Sequence, residues 1–419
     1  MSIIRDFLTS AEVLIGLVVL IGLAVQKKSF EQIITGTAKT IMGIMILSAG
    51  AGVLVSALSY LTPLMQEAFH VDGIAPLTNA FVAVAMGGSY GTTTAYIILG
   101  AFVVNLLLAR FTPFKYIFLA GHHILYISVV MAVTLAANHV FGIQAAIIGS
   151  LFAGVAMTLL PAINQKFMNK ITGDEPIAMG HFGATGYWLA GFVGKFVGNP
   201  KHSTEDLKIP KALNFAKETI IAATMVIILL FSVCIAFTGV DFVRTELEVT
   251  KNVVLFILLQ GLTFGAGLTI LMQGVRMMVS EILTAFEGIA AKVVPNAIPA
   301  LDCPVVFPYA PNAVLIGFLS ATVGGILTSV VFAMFTGIGM VPPVIEFFFM
   351  GGAAGVFGNA TGGRNGAIVG GIIQGILFTI LPYYFWLETN VIVPGTVTMT
   401  DPDFCWSGII LGNLIRLFN

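Results

Sequence analysis

The sequence predicts an all-α polytopic membrane protein of about eleven transmembrane helices with re-entrant hairpins, built as two inverted repeats. Three observations predict it. The 419 residues are 58% hydrophobic and only 9% charged, with a mean hydropathy of +1.00. Charge-free stretches of about 20 residues, the length that crosses a bilayer core, recur along the chain. A pattern of glycine, serine and aliphatic residues returns at a fixed offset of 224 residues, from Gly43 to Gly267.

A soluble domain carries roughly 25% charged residues. This composition cannot make a water-facing surface, so the solvent is mostly lipid. The net charge of −1, with Lys and Arg scattered at loop positions, excludes an electrostatic nucleic-acid surface. Cys234, Cys303 and Cys405 lie far apart, with no CxxC pair and no metal-ligand spacing. Neither a disulfide framework nor a metal site is expected, and no cofactor. Walker and HExxH motifs are missing from the sequence, which argues against an ATP-driven pump or a zinc hydrolase within this chain. The apolar run after Glu12 has no small-residue cleavage site before Lys27, so it is expected to stay as the first span.

The predicted spans are 11–26, 40–61, 93–109, 116–137, 140–163, 217–240, 252–275, 311–335, 342–358, 366–387 and 404–416. Three segments, 74–92, 176–196 and 281–308, are too short or too broken by Gly, Pro and polar residues to cross simply. They are expected to be re-entrant hairpins or half-helices, which survive at membrane depth only where protein buries them or a wet cavity meets them. Lys27, Lys28 and Lys39, then Arg110 and Lys115, then Lys166, Lys170, Lys195, Lys201, Lys208, Lys211 and Lys217 fall on one side. Glu67 and Asp72, then Asp241, Glu246 and Glu248, then Glu388, Asp401 and Asp403 fall on the other. The positive-inside rule then sets the N-terminus in the periplasm and the C-terminus in the cytoplasm.

The repeat aligns Gly43-Ile44-Met45-Ile46-Leu47, Gly50 and Val55-Ser56 with Gly267-Leu268-Thr269-Ile270-Leu271, Gly274 and Val279-Ser280. Downstream, Ile74 aligns with Ile298 and Leu77 with Leu301. The first copy runs outward and the second inward, so the repeats are inverted. That is the architecture of transporters that hold substrate near the midplane between interrupted helices. The expected divisions are 1–163, the first repeat half; 164–216, a cytoplasmic segment with a hairpin; 217–387, the second half; and 388–419, a loop and a last span. Gly366, Gly370, Gly371 and Gly375 give a face for close helix contact.

An ionisable residue inside the membrane is costly and turns toward protein or a cavity. The informative ones are His122, His123, His181, Asp302 and Glu346, with Glu281, Glu287 and Arg276 less deep. Asp302 lies between Pro299 and Pro304 in a broken half-helix, and its partner by the offset is Thr78. It is either a midplane site residue or a helix cap. His122 can bond the hydroxyls of a polyol or lactone, or pack between helices. Adjacent helical residues point about 100° apart, so one of His122 and His123 is expected to face the site, with His123 structural. His181 belongs to a re-entrant segment or to a loop. Glu346 is a proton-coupling carboxylate or, preferred here, a partner of Arg364.

Taken jointly, Leu119-Ala120-Gly121-His122, Ala178-Met179-Gly180-His181, Lys195 with Ser203-Thr204-Glu205-Asp206-Leu207-Lys208-Ile209-Pro210, Gln273-Gly274-Val275-Arg276-Met277, Ala300-Leu301-Asp302-Cys303 and Ala310-Pro311-Asn312-Ala313-Val314 resemble the ascorbate-specific IIC permease family of the sugar phosphotransferase system. The resemblance covers most of the chain. It implies a homodimer in the inner membrane, each protomer with a substrate-binding core domain and a V-shaped dimerisation domain. It implies uptake of L-ascorbate or a related sugar acid, phosphorylated on the cytoplasmic side by a separate IIB protein. Enzyme I, HPr and IIA would relay the phosphate from phosphoenolpyruvate, and residues 195–217 would offer IIB a dock. It carries substrate contacts over to Thr78, His122, His181 and Asp302, and Asp302 could orient or deprotonate the hydroxyl that receives phosphate.

Three departures sit at the implied site. The family pattern has a Tyr after the Thr, where this chain has Asn79; a Gln four residues after the first His, where it has Tyr126; and a Gln after the second His, where it has Phe182. Two lost amides can retune the substrate toward another sugar acid or a polyol. The rival expectation is a proton-coupled secondary transporter using Glu346 or a histidine. A channel is disfavoured, since no ring of like charges is visible.

Overall fold

The computed structural model describes residues 11–69, 73–76, 78–87, 90–207, 219–340, 342–393 and 397–418. Lys208, Lys211 and Lys217, Asp72 and Leu77 lie outside the described residues. Helix dominates because, in lipid, backbone groups must be satisfied within the segment that carries them. In chain order come α1 (Ala11–Val25), α2 (Phe30–Leu58), α3 (Leu61–Phe69), β1 (Gly73–Pro76), α4 (Thr78–Gly87), α5 (Gly91–Phe111), β2 (Tyr116–Phe118), α6 (Gly121–Ala137) and α7 (Gly142–Thr172). Next are β3 (Ala178–Met179), α8 (Ala184–Val197), α9 (Thr219–Thr238), α10 (Val240–Thr245), α11 (Val253–Val293) and β4 (Ile298–Leu301). The chain ends with α12 (Pro311–Thr336), β5 (Gly339–Met340), α13 (Val344–Glu346), α14 (Gly352–Thr389), β6 (Val397–Thr398) and α15 (Pro402–Phe418).

Five helical stretches among the described residues are long and apolar enough to cross a membrane: Gly91–Phe111, Gly142–Thr172, Val253–Ile270, Pro311–Thr336 and Phe347–Thr389. Large apolar side chains stand exposed on several of them, Phe111 at 76%, Ile143 at 75% and Phe335 at 86%, which water would penalise and lipid does not. The chain is a multi-pass helical membrane protein.

The Phe347–Thr389 run covers two predicted spans, and Gly363 separates them. Its backbone is non-helical, with φ 60° and ψ −144°, a conformation open to glycine. A Cβ on Gly358 would strike the Gly366 carbonyl, and one on Gly370 the Ala354 carbonyl, so the two arms run back along each other. The small-residue face is used for packing: Gly371 lies on Gly317 and Gly375 on Ala321 of α12.

The repeated segments of the sequence fall on α2 and α11. Gly267 lies against Leu54, while Glu281 reaches Gly36 and bridges to Lys39 at 3.2 Å, so these helices run antiparallel. Ser29 and Gln32 close a capping box at the start of α2. α11 continues unbroken to Val293, past the point where a broken segment is expected at 281.

Strands are the main departure from an all-α expectation. The Gly- and Pro-rich breaks pair into two three-stranded parallel sheets, ordered β5-β1-β6 and β2-β4-β3. Exposed backbone at this depth needs partners, and other broken segments supply them. In the first sheet Ile74 faces Met340 and Pro76 faces Thr398. In the second Tyr116 faces Ile298 and Ala178 faces Ala300. The pair Ile74–Met340 maps onto Ile298–Tyr116 when 224 is added to one residue and subtracted from the other.

Candidate functional site

Parallel strands release the residues just beyond them on one side. In the β2-β4-β3 sheet, Leu119 N–H donates to the Ala300 carbonyl (3.0 Å) and Gly180 N–H to the Leu301 carbonyl (2.7 Å). These bonds align three chain exits. Asp302 comes directly after β4, His181 is two residues beyond β3, and His122 and His123 open α6 after β2.

The side chains converge on Asp302. His122 Nε2 lies 3.7 Å from Asp302 Oδ2, while His123 Nε2 and His181 Nε2 lie 3.8 and 3.6 Å from Oδ1. These separations exceed hydrogen-bond length. Asp302 Oδ1 also accepts from Cys303 N–H at 2.7 Å, capping the turn Cys303–Tyr309, so the cap and the site use one carboxylate. His181 Nδ1 accepts from Gly183 N–H at 2.9 Å and contacts the Tyr187 hydroxyl at 3.1 Å. Accepting at Nδ1 leaves its proton on Nε2, facing Asp302.

Both adjacent histidines face Asp302, which corrects the expectation that one does. They sit in the first turn of α6, and strand pairing sets Asp302 beside that helix end, where both residues can bend inward. Their rings are 4.3 Å apart, and the His123 and His181 rings 4.1 Å. His123 is only 2% exposed, and its Nδ1 lies 3.8 Å from Asp401 Oδ2. Among the described residues, His122 Nδ1 and both His123 nitrogens are buried with no hydrogen-bond partner. Leaving such groups unmade costs about 1–3 kcal/mol each, which a bound hydroxyl would relieve.

The other sheet aims its own exits at the same place. Thr78, after β1, donates to Thr400 Oγ1 at 3.0 Å and accepts from Thr400 N–H at 3.1 Å. Thr400 and Asp401 come after β6, and Thr400 lies beside Glu346. Thr78 therefore joins Asp302 through Thr400, Asp401 and His123. Asn79 is next in the first turn of α4, with its side-chain surroundings outside the described residues.

Tyr126 lies one turn after His122, ring centroids 5.7 Å apart, within the field of Asp401, Glu346 and Asp302. Phe182 is fully buried and stacks on Phe404 at 4.5 Å and His123 at 5.9 Å, so it supports the histidine from behind. Three residues carry more than the sequence suggests. Asp401 and Asp403 are 6% and 0% exposed, so they are core residues rather than part of an acidic exterior loop. Asp403 accepts from Thr185 N–H and from Trp406 Nε1 at 2.7 Å. Among the described residues no ion pair joins Glu346 to Arg364, whose Nε instead donates to the Ser203 carbonyl at 3.2 Å.

Cysteine spacing predicts no metal, but strands assemble donors that spacing cannot show. His122, His123 and Asp302 bring their ligand atoms within 4.8 Å of one another, as do His123, His181 and Asp401. A separate open cleft of about 400 Å³, lined by Lys28, Gln32, Lys39 and Glu281, holds none of the predicted site residues.

The chain is 29% identical over 419 residues to the ascorbate-specific PTS system EIIC component of Mycoplasma pneumoniae, a match that takes in 87% of this chain. The chain spans 63% of that relative's length. The model of the family described as the PTS system sugar-specific permease component matches residues 6–403. With apolar membrane helices, a buried cluster at interrupted segments and a family match over nearly its whole length, this chain belongs to the sugar-specific permease components of the PTS system.

Proposed function

We propose that this chain takes up L-ascorbate or a close polyhydroxylated relative by group translocation, with the phosphate supplied by separate IIB and IIA proteins. One observation carries the reading: three imidazoles and a carboxylate meet, incompletely bonded, at the carboxyl ends of three parallel strands. Imidazoles and carboxylates together donate to and accept from sugar hydroxyls, and unfinished hydrogen bonds mark where a ligand completes them. Thr78, Asn79, His122, Tyr126, His181, Phe182 and Asp302 form or border the site. Asp302 orients the hydroxyl that receives phosphate.

The repeat belongs to this reading. The antiparallel run of α2 and α11 and the matching strand pairs Ile74–Met340 and Ile298–Tyr116 favour two inverted halves. The expected halves end at 163 and 387. The strand registers favour carrying each further, so that β3 closes the first and β6 the second. Eleven spans, a homodimer joined through a V-shaped domain and a periplasmic N-terminus complete the proposal.

Inverted membrane vesicles do not test uptake, so right-side-out vesicles loaded with phosphoenolpyruvate and the soluble carrier proteins are the experiment. Phosphorylated product should accumulate inside, and only with phosphoenolpyruvate. Unmodified solute that collapses with an uncoupler would replace this reading with the proton-coupled one.

A further inference from the structure

We propose that His122, His123 and Asp302 form a site for a divalent transition cation, Zn²⁺ foremost, and that the cation and the sugar exclude one another there. The metal site stands on its own geometry, and the exclusion rests on the reading of the cluster as the substrate site.

Two paired strands bring the donors together. His122 and His123 open α6 after β2, and Asp302 follows β4, the strand hydrogen-bonded to β2. The ligand atoms of the three side chains all lie within 4.8 Å of one another. His122 Nε2 is 3.7 Å from Asp302 Oδ2, and His123 Nε2 is 3.8 Å from Oδ1. Ligands held about 2.0–2.1 Å from a tetrahedral zinc ion stand roughly 3.3–3.4 Å apart, so each histidine–carboxylate edge needs to close by only about 0.3–0.5 Å.

The second observation does not depend on spacing. His123 is 2% exposed, and among the described residues neither of its ring nitrogens has a hydrogen-bond partner. A metal ion takes the lone pair of Nε2. The proton then sits on Nδ1, which points at Asp401 Oδ2 3.8 Å away. A carboxylate behind a ligating histidine fixes its tautomer and ring orientation.

Two rival donor sets, His123 with His181 and Asp401, and His181 with Asp302 and Cys303, are as compact. Both need a lone pair from His181. Its Nδ1 already accepts from Gly183 N–H at 2.9 Å, which leaves the proton on Nε2. That N–H faces Asp302 Oδ1 at 3.6 Å and orients the carboxylate instead of binding metal.

Two imidazoles and one carboxylate suit zinc and its transition-metal neighbours better than Mg²⁺ or Ca²⁺, which take oxygen ligands. A fourth position is left for water. The ion also occupies the Asp302 oxygen and the imidazole nitrogens that a sugar hydroxyl needs, so the two occupants compete.

The test uses tag-free, chelator-stripped full-length protein in lipid nanodiscs at neutral pH. Equilibrium dialysis against metal-buffered Zn²⁺ should load a single ion per chain, with a dissociation constant of about 1 μM or tighter. Co²⁺ in its place should give the intense visible bands of four-coordinate cobalt. Asp302→Asn and His122→Ala, each with the metal-free melting temperature unchanged, should weaken zinc by about 100-fold or more, and Asp401→Asn by about 10- to 100-fold with the cobalt bands kept. The apparent dissociation constant of L-ascorbate should rise about 10-fold when free Zn²⁺ is held at about ten times its own. No loading of the parent protein, or loading that persists in both folded variants, would overturn the metal site. Ascorbate binding that ignores zinc yet needs Asp302 would overturn the exclusion. Ascorbate binding that ignores both zinc and Asp302→Asn would remove the sugar from the cluster and leave the metal site standing.

Discussion

The two three-stranded sheets share a backbone plan and differ in chemistry. Each has a central strand flanked by two parallel partners, and each releases its polar residues at the carboxyl ends. The β2-β4-β3 sheet ends in His122, His123, His181 and Asp302, held 3.6–3.8 Å apart with three ring nitrogens unbonded. The β5-β1-β6 sheet ends in Thr78, Thr400, Asp401 and Glu346, where Thr78 and Thr400 exchange hydrogen bonds of 3.0 and 3.1 Å. One side is poised and unsatisfied, and the other has largely satisfied itself. The contrast teaches that pairing of broken segments sets where side chains go, while the residue just past each strand sets what they do. Recognition of a ligand is then expected to depend most on the open sheet.

The largest effect should come from breaking the open sheet at its centre. Asp302→Asn removes the charge that three imidazoles face, and losing one member of a buried charged set costs about 2–5 kcal/mol or more. Phosphoenolpyruvate-dependent accumulation should fall by about 10²-fold or beyond. Uptake within a few-fold of normal would mean that the two sheets share the work equally.

The next effect separates support from contact. Phe404 is fully buried and stacks on Phe182 at 4.5 Å and on His123 at 5.4 Å. Phe404→Ala should lower stability by about 3–5 kcal/mol through the cavity it leaves, read as a lowered melting temperature in detergent. A smaller loss, with binding strongly weakened, would make the aromatic stack part of the binding surface.

Much of this arrangement is legible in the sequence, for a physical reason. Charged and imidazole groups in apolar stretches must turn inward, so His122, His181 and Asp302 stand out without any structure. The 224-residue offset ties Thr78 to Asp302 before either is seen in space. The strands are not legible, because two to four residues carry no period that distinguishes them from a loop. Asp401 and Asp403 read as a water-exposed acidic loop, since charge after an apolar helix usually is one. Pairing of β6 with β1 draws them inside instead. Glu346 illustrates a signal present but unused: the same offset makes it the counterpart of His122, yet the nearby Arg364 suggests a simpler ion pair.

The self-satisfied sheet gives a smaller effect. Thr400→Val keeps the side-chain shape but removes the hydroxyl that accepts from Thr78 beside Glu346. A buried partner left unpaired costs about 1–3 kcal/mol. The melting temperature should drop while Asp302-dependent binding survives, weakened by about 10-fold or less. Complete loss of binding would show that the second sheet recognises substrate as directly as the first.

The smallest effect sharpens the comparison within the open sheet. His181 Nδ1 receives Gly183 N–H at 2.9 Å and lies 3.1 Å from the Tyr187 hydroxyl. The backbone donor alone suffices to keep the proton on Nε2, because an accepting nitrogen cannot carry one. Tyr187→Phe retains the ring packed on Phe357 at 5.4 Å and deletes the hydroxyl that makes the second contact. A neutral hydrogen bond contributes about 0.5–1.5 kcal/mol, so the dissociation constant should rise by about 2- to 10-fold with the melting temperature nearly unchanged. A rise far beyond this would assign the imidazole's orientation to the phenol rather than the backbone. The poise of the open sheet would then depend on a side chain from α8, and not on strand geometry alone.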